Sequence, residues 1–222
     1  MVAKQRIALY GGTFDPVHVG HLEVARKVSE LFEIEKVLFV PAQIAPHKVG
    51  RTVTAPLHRY AMLALATQHD RQLSISTFEL DAPDRRYTVN TLEHFLSVFG
   101  ASADLFFIMG ADSWTEIATW WEWERLLVMV NHIVVTRPGY DITAGPQIMN
   151  DRVVDLRSGS KAEIDLDSNR IYLTDIVFRD VSATRIRSLV EAGQLAELAQ
   201  LVSEPVAGYI SKYGLYRKSH EV

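Results

Sequence analysis

The chain has 222 residues, 48% hydrophobic and 23% charged, and its 23 lysines and arginines against 27 aspartates and glutamates leave a formal net charge of −4. That balance excludes a disordered chain and speaks against a nucleic-acid coat or a membrane-surface protein, since both need a positive field. The absence of cysteine excludes disulfides, cysteine-ligated zinc, iron–sulfur clusters and thiol nucleophiles, and it suits a reducing cytoplasm. Only four apolar residues follow Lys4 and Arg6 before Gly11, too few for a secretory leader. The longest uncharged runs, 37–47 and 126–136, fall well short of the ~20 residues of a membrane helix.

In chain order, Ile7–Tyr10 reads as a buried strand that stops at Gly11-Gly12. Leu22, Ala25, Val28 and Phe32 recur at helical spacing among charged residues. Lys36–Val40 is a second strand, ended by Pro41, and a loop with Pro46 and Gly50 follows. Pro56 suits the first turn of a helix reaching about His69. Leu73–Thr77 is a third strand. Thr88 suits the cap of a helix with Val89, Leu92, Leu96 and Phe99 on one face and Gly100 just past its end. Leu105–Met109 is a fourth strand, stopping at Gly110, and a Trp-rich stretch from Asp112 to about Met129 reads as helical. His132–Thr136 is a fifth strand, closed by Pro138-Gly139. Residues 140–170 are less periodic and read as loop with one or two short strands, such as Val153–Leu156 and Ile171–Leu173. Helical spacing returns at Ile186, Leu189 and Val190 and runs through Leu195–Val202, and Pro205–Tyr213 closes the pattern.

Apolar strands separated by helices predict an α/β fold: a Rossmann-like, doubly wound parallel sheet with helices on both faces. Residues 1–222 are expected to form one domain, with 181–222 a helical part packed on it. Ligands then sit beyond the carboxyl ends of the strands, where the strand order reverses. The loop after the first strand carries the strongest pattern, Gly11-Gly12-Thr13-Phe14-Asp15-Pro16-Val17-His18-Val19-Gly20-His21-Leu22. Two glycines let the backbone approach a ligand, and the helix that opens near Gly20 points its free N–H groups and dipole at the same place. His18 and His21, three apart, are able to donate to one polyanion. Two readings stand at this point, a tight turn with surface histidines and an anion site. No third histidine or carboxylate lies at metal-ligand spacing, and the spacing fits neither a dinucleotide fingerprint nor a P-loop.

This string resembles the signature of the nucleotidylyltransferases that share a His-x-Gly-His element with class I aminoacyl-tRNA synthetases, and most of all the bacterial nicotinate-nucleotide adenylyltransferases. Pro41-Ala42-Gln43-Ile44-Ala45-Pro46-His47-Lys48 is similar to that family's Pro-Pro-His-Lys loop, with Ala45 where a second proline is usual. Arg86-Tyr87-Thr88-Val89-Asn90-Thr91-Leu92 is similar to its Ser-Tyr-Thr-x-Asp-Thr-Leu segment, departing at Arg86 and Asn90. Gly110-Ala111-Asp112-Ser113, Trp120-Trp121 and Arg137-Pro138-Gly139-Tyr140 follow in the family's order, then Val181-Ser182-Ala183-Thr184-Arg185-Ile186-Arg187 and the Tyr209–Tyr216 tail. Residues 141–170 carry no matching motif.

The resemblance implies transfer of AMP from ATP to nicotinate mononucleotide, with release of pyrophosphate. It assigns His18 and His21 to the triphosphate and to charge at the transferring phosphoryl group, with Lys48 and Arg187 completing the catalytic set. Gly11, Gly12, Thr13, Phe14, Gly110, Asp112, Arg137, Ser182 and Thr184 join them in binding ATP. Tyr87, Thr88, Trp120 and Trp121, with Lys48 and Asp112, are expected around the nicotinate nucleotide. Mg²⁺ is expected through the ATP phosphates without a protein metal site. The alternatives are another acceptor on the same fold, such as nicotinamide mononucleotide or phosphopantetheine, and a nucleotide sensor without turnover. No nucleic acid or membrane is expected as a partner, and both monomer and homo-oligomer stay open. Asp15 is open between ligand and turn residue, Asp112 between ribose contact and helix cap, and Trp114 and Trp123 are expected in packing.

Overall fold

The computed structural model describes residues 4–43, 53–81, 87–136, 151–157, 164, 168–176 and 181–217. Lys48, Arg86 and Arg137 lie outside the described residues. The strands are β1 (Gln5–Gly12), β2 (Lys36–Pro41), β3 (Leu73–Ile75), β4 (Ala103–Gly110), β5 (Asn131–Val135), β6 (Val153–Asp155) and β7 (Ile171–Thr174). They form one seven-stranded sheet in the order β3-β2-β1-β4-β5-β7-β6, and every pairing is parallel. The helices are α1 (Val19–Phe32), α2 (Pro56–Thr67), α3 (Thr88–Phe99), α4 (Ala111–Thr115), α5 (Trp123–Met129), α6 (Ala183–Glu191), α7 (Leu195–Leu201) and α8 (Glu204–Lys212).

Successive strand residues point to opposite faces, and both faces are apolar. Ala8, Tyr10, Val37, Phe39, Phe106 and Ile108 pack with buried residues of α1, α2, α6, α7 and α8. Ile7, Leu9, Leu38, Val40, Phe107 and Met109 pack with those of α3, α4 and α5. This two-sided burial is why each strand reads as a nearly unbroken apolar run. From β1 the chain builds outward to β2 and β3, then returns through α3 to β4 on the other side of β1. The order therefore reverses between β1 and β4. Tyr10 lies opposite Ile108, so the two strands end side by side at Gly12 and Gly110. No helix of the described residues is long and apolar enough to cross a membrane.

Two expectations need correction. The Trp-rich stretch is not one helix but α4, a 3₁₀ turn at Ile117–Thr119, and α5. Trp114, Ile117, Leu126 and Leu127 keep an apolar periodicity by being buried, yet Trp120 is extended and Glu122 is left-handed at φ 51, which ends the helical path. Thr88 is the first residue of α3 instead of its cap. Tyr87 caps it in extended backbone, and Asn90 Oδ1 accepts the Tyr87 N–H at 3.3 Å. The short strands expected near 153 and 171 are both present, as β6 and β7, and β7 lies between β5 and β6.

His132 in β5 is fully buried. Its Nδ1–H donates to the Val130 carbonyl at 3.0 Å, and burial, with Arg152 adding to it, pushes its pKa down to about 3. The unfolded chain takes up this proton below about pH 6.5, whereas the folded chain does so only near pH 3. The associated stability is complete above pH 6.5 and declines as pH falls from there, by up to about 1.4 kcal/mol per pH unit. Denaturant unfolding between pH 6 and 4 therefore shows a shallower loss of stability for His132→Asn, whose amide keeps the bond to Val130. Equal slopes for the two proteins contradict a neutral His132.

Candidate active site

The loop after β1 is built on close approaches. A Cβ on Gly11 would lie 3.0 Å from the Phe107 ring, and one on Gly12 would lie 2.9 Å from the Phe14 ring. Glycine at both positions lets these rings pack directly under the loop. Phe14 takes φ 50, which turns its side chain inward. It is buried and packs edge-on against Tyr10 at 5.5 Å and Phe39 at 5.3 Å. The Phe14 side chain thus belongs to the core, and only its main chain is left for a ligand.

His18 is the N-cap of α1 in extended backbone (φ −145, ψ 170). Its N–H donates to His21 Nδ1 at 3.2 Å, and its carbonyl accepts the His21 N–H at 2.9 Å. Because His21 Nδ1 is an acceptor, the ring proton of a neutral His21 sits on Nε2, which is a donor. The two imidazoles stack at 3.6 Å and 20°, and His18 is buried. A Cβ on Gly20 would lie 3.1 Å from His18 Nδ1 and 3.7 Å from Val181 Cβ. Gly20 is therefore where the start of α1, the His18 ring and the approach to α6 meet. Two helix N-termini converge there, and their N–H groups and dipoles favour an anion.

Side chains from distant segments fix this loop. Arg59 in α2 is fully buried and donates to the carbonyls of Thr13 (2.8 Å), Ala42 (2.7 Å), Gln43 (3.3 Å) and Thr54 (2.9 Å). It joins the loops after β1 and β2 to the start of α2. Burial lowers its pKa, and Asp15 leads the charges that oppose the shift. Asp15 is buried and acts as a structural residue. Its Oδ2 accepts the Thr54 N–H at 3.2 Å, its Oδ1 accepts the Tyr216 hydroxyl at 2.7 Å, and its carbonyl accepts Arg187 at 2.8 Å. Arg187 also donates to Thr184 Oγ1 at 3.1 Å. Ser182 caps α6, its Oγ accepting the Arg185 N–H at 3.2 Å. Arg185 is exposed, 3.9 Å from Glu197.

At the end of β4, a Cβ on Gly110 would lie 2.5 Å from Asp112 Oδ1, so the glycine lets that carboxylate fold back. Asp112 is exposed, and its Oδ1 accepts the Ser113 N–H at 3.0 Å. Gly110, not Asp112, occupies the cap position of α4. Tyr87 and Trp121 form an exposed aromatic pair, ring centroids 5.6 Å apart and 28° from parallel. Trp121 is 58% exposed, whereas Trp120 and Trp123 pack on the core under α3 to α5 and Trp114 is fully buried. Arg125 in α5 ties the pair's supports together, donating to Glu122 at 2.8 Å and to Glu93 of α3. Those two carboxylates raise its pKa. Of the remaining histidines, His58 bonds Tyr209 at 2.9 Å and His94 stacks on Phe78 at 3.7 Å.

Arg59 and the role of Tyr216 escape sequence reasoning, whereas Asp15, open between ligand and turn residue, is held by Thr54 and Tyr216 as a structural residue. Arg59 left one trace. It stands three and four residues before Met62 and Leu63, on the stripe that α2 buries, where a charge is out of place unless it is paired.

Residues 9–189 match the cytidylyltransferase-like family model. A curated relative from Thermoanaerobacter sp. (strain X514), named "Probable nicotinate-nucleotide adenylyltransferase", is 39% identical over 221 residues, covering 100% of this chain and 99% of the relative. The chain belongs to the nicotinate-nucleotide adenylyltransferase family. A second member of that family, from Symbiobacterium thermophilum, is 37% identical and is covered over 95% of both chains. The Plasmodium falciparum nicotinic acid mononucleotide adenylyltransferase, solved in complex with NaAD, superposes with a TM-score of 0.72 at 19% identity over 96% of this chain and 97% of that one. The same enzyme in complex with APC gives a TM-score of 0.70 at 20% identity with the same coverage. These neighbours share the Rossmann-like nucleotidylyltransferase fold.

Proposed function

We propose that the chain transfers AMP from ATP to nicotinate mononucleotide, a step of NAD biosynthesis. A phosphate oxygen of the mononucleotide attacks the α-phosphorus, the bond to the β-phosphate oxygen breaks, and pyrophosphate leaves with that electron pair. The products are nicotinate adenine dinucleotide and pyrophosphate. The observation that carries this reading is the stacked His18–His21 pair at the start of α1, beside the approach to α6, where the strand order reverses. A phosphate monoester with its second pKa near ~6 is largely ionised at neutral pH, so no general base is required. Catalysis is then orientation and stabilisation of developing charge.

His18 and His21 would donate to the triphosphate and the transferring group, His21 through Nε2. Main-chain groups of Gly11, Gly12, Thr13 and Phe14 would line the same phosphates. Ser182, Thr184 and Arg187, at the start of α6, would receive the leaving pyrophosphate. Gly110 and Asp112 would meet a ribose, while Lys48 and Arg137 would add cations from their loops. Among the described residues no group of three or more His, Cys, Asp or Glu is placed to hold a metal ion, and both oxygens of Asp15 are engaged. Mg²⁺ would enter as part of the MgATP substrate, where it neutralises phosphate charge. A reducing cytoplasm is the compartment that a cysteine-free chain of this family suits.

Tyr87, Thr88, Trp120 and Trp121 would hold the nicotinate nucleotide, the exposed Trp121 offering its indole face to the pyridine ring. Trp121→Ala then raises KM for nicotinate mononucleotide about tenfold or more, in line with the ~1–3 kcal/mol of ring stacking. KM for ATP stays within about twofold. A parallel rise in both constants in steady-state kinetics removes Trp121 from the acceptor pocket. The direct displacement is tested with one diastereomer of ATP carrying sulfur at the α-phosphorus. Inversion in the product is expected, and retention indicates a covalent intermediate.

A further inference from the structure

The end of the described chain returns to the loop after β1. Past α8 the chain turns tightly, with the Leu215 N–H donating to the Ile210 carbonyl at 3.1 Å. Gly214 and Tyr216 both take left-handed backbone, at φ 60 and φ 62. Glycine adopts that conformation freely, but for tyrosine it is unfavourable and persists where the surroundings compensate it. Here the compensation is visible. The turn lays Leu215 and Tyr216 on the core under α1 and α2, and the phenol donates to Asp15 Oδ1 at 2.7 Å. Burial and the Asp15 charge raise the phenol's pKa, so it stays a donor at neutral pH.

Asp15 is held from three directions, by Tyr216 from the tail, by the Thr54 N–H from the approach to α2, and by Arg187 from α6. It lies between Phe14, whose backbone is itself left-handed, and His18, whose ring stacks on His21. Arg187 has a foot in both groups, because it donates to the Asp15 carbonyl and to Thr184 Oγ1. Removing the Tyr216 hydroxyl takes this donor from Oδ1 of the buried Asp15, and such an oxygen moves to find another. Any such shift passes along three residues of loop to the histidines.

We propose that Tyr216 is a positioning residue for the phosphate site, fixing the approach to His18 and His21 through its hydrogen bond to Asp15. Docking of the tail and the geometry of the histidine pair are then one event. The kinetic consequence rests on AMP transfer as the reaction, whereas the geometric one does not.

The test is Tyr216→Phe, which keeps the ring and its packing, beside Tyr213→Phe, an exposed tyrosine of the same tail. The assays use full-length protein well below its unfolding temperature. For Tyr216→Phe, kcat falls about tenfold, the scale on which small misplacements act, and KM for both substrates stays within about twofold. The imidazole proton resonances of His18 and His21 in free protein shift in Tyr216→Phe and stay in place in Tyr213→Phe. Unmoved histidine resonances overturn the proposal, as does a kcat within about twofold of wild type. If wild-type protein makes no dinucleotide, AMP transfer is the reading that fails, and the resonances alone decide the role of Tyr216.

Discussion

His21→Ala lowers turnover by about two to three decades, the scale of losing one preorganised donor to a developing oxyanion. The reason is the tautomer. Because Nδ1 accepts the His18 N–H at 3.2 Å, the donor of a neutral His21 is Nε2, held in direction by the start of α1. The donor is in place before the charge develops, so no reorganisation is needed as it forms. The same bond supports the helix, so alanine also removes a cap contact worth about 1 kcal/mol. His21→Asn separates the two contributions. Its Oδ1 reaches the His18 N–H and restores the cap, while nothing replaces the distal donor. Asn should therefore recover the thermal midpoint and leave turnover low. His18→Ala is expected to be as damaging, and the double variant little worse than either, since stacked groups acting on one phosphate are not additive. Near-normal turnover in either single variant removes that histidine from the chemistry.

Arg59→Met destabilises the protein by at least about 3 kcal/mol, because the carbonyls of Thr13, Ala42 and Thr54 lose their donor and each buried orphan costs about 1–3 kcal/mol. Methionine fills much of the volume, so the loss is one of hydrogen bonds more than of packing. Arg59→Lys recovers only part, since one ammonium does not reach three carbonyls arrayed around a planar guanidinium. Urea unfolding measures both. A methionine variant within about 1 kcal/mol of wild type contradicts the clamp, since the three bonds would then contribute almost nothing net.

The parts of the fold that read clearly from sequence are those where one local signal decides the outcome. β1 and β4 announce themselves as apolar runs stopped by glycine, and Gly11, Gly12 and Gly110 stand where an added Cβ would collide with a neighbouring side chain. The start of α1 is equally legible, because its glycine and its two histidines lie within four residues. Signals fail where two principles compete. Thr88 has the better capping chemistry, yet Tyr87 takes the position because Asn90 reaches back to its N–H. The Trp-rich stretch keeps its apolar period across a left-handed Glu122 that no glycine or proline marks. Asp15 and Tyr216 are 201 residues apart, and no local pattern encodes such a contact. Arg59 is hidden for the same reason, since its acceptors are main-chain carbonyls that any residue type supplies.

The site between β1 and β4 is proposed to join ATP to nicotinate mononucleotide. The most direct measurement is pyrophosphate release from MgATP with that nucleotide, run beside nicotinamide mononucleotide and phosphopantetheine as acceptors. Strong release with nicotinate mononucleotide, weak release with its amide and none with phosphopantetheine is the predicted result. Release with phosphopantetheine, or none with any acceptor in protein that still binds ATP, overturns this assignment of the acceptor.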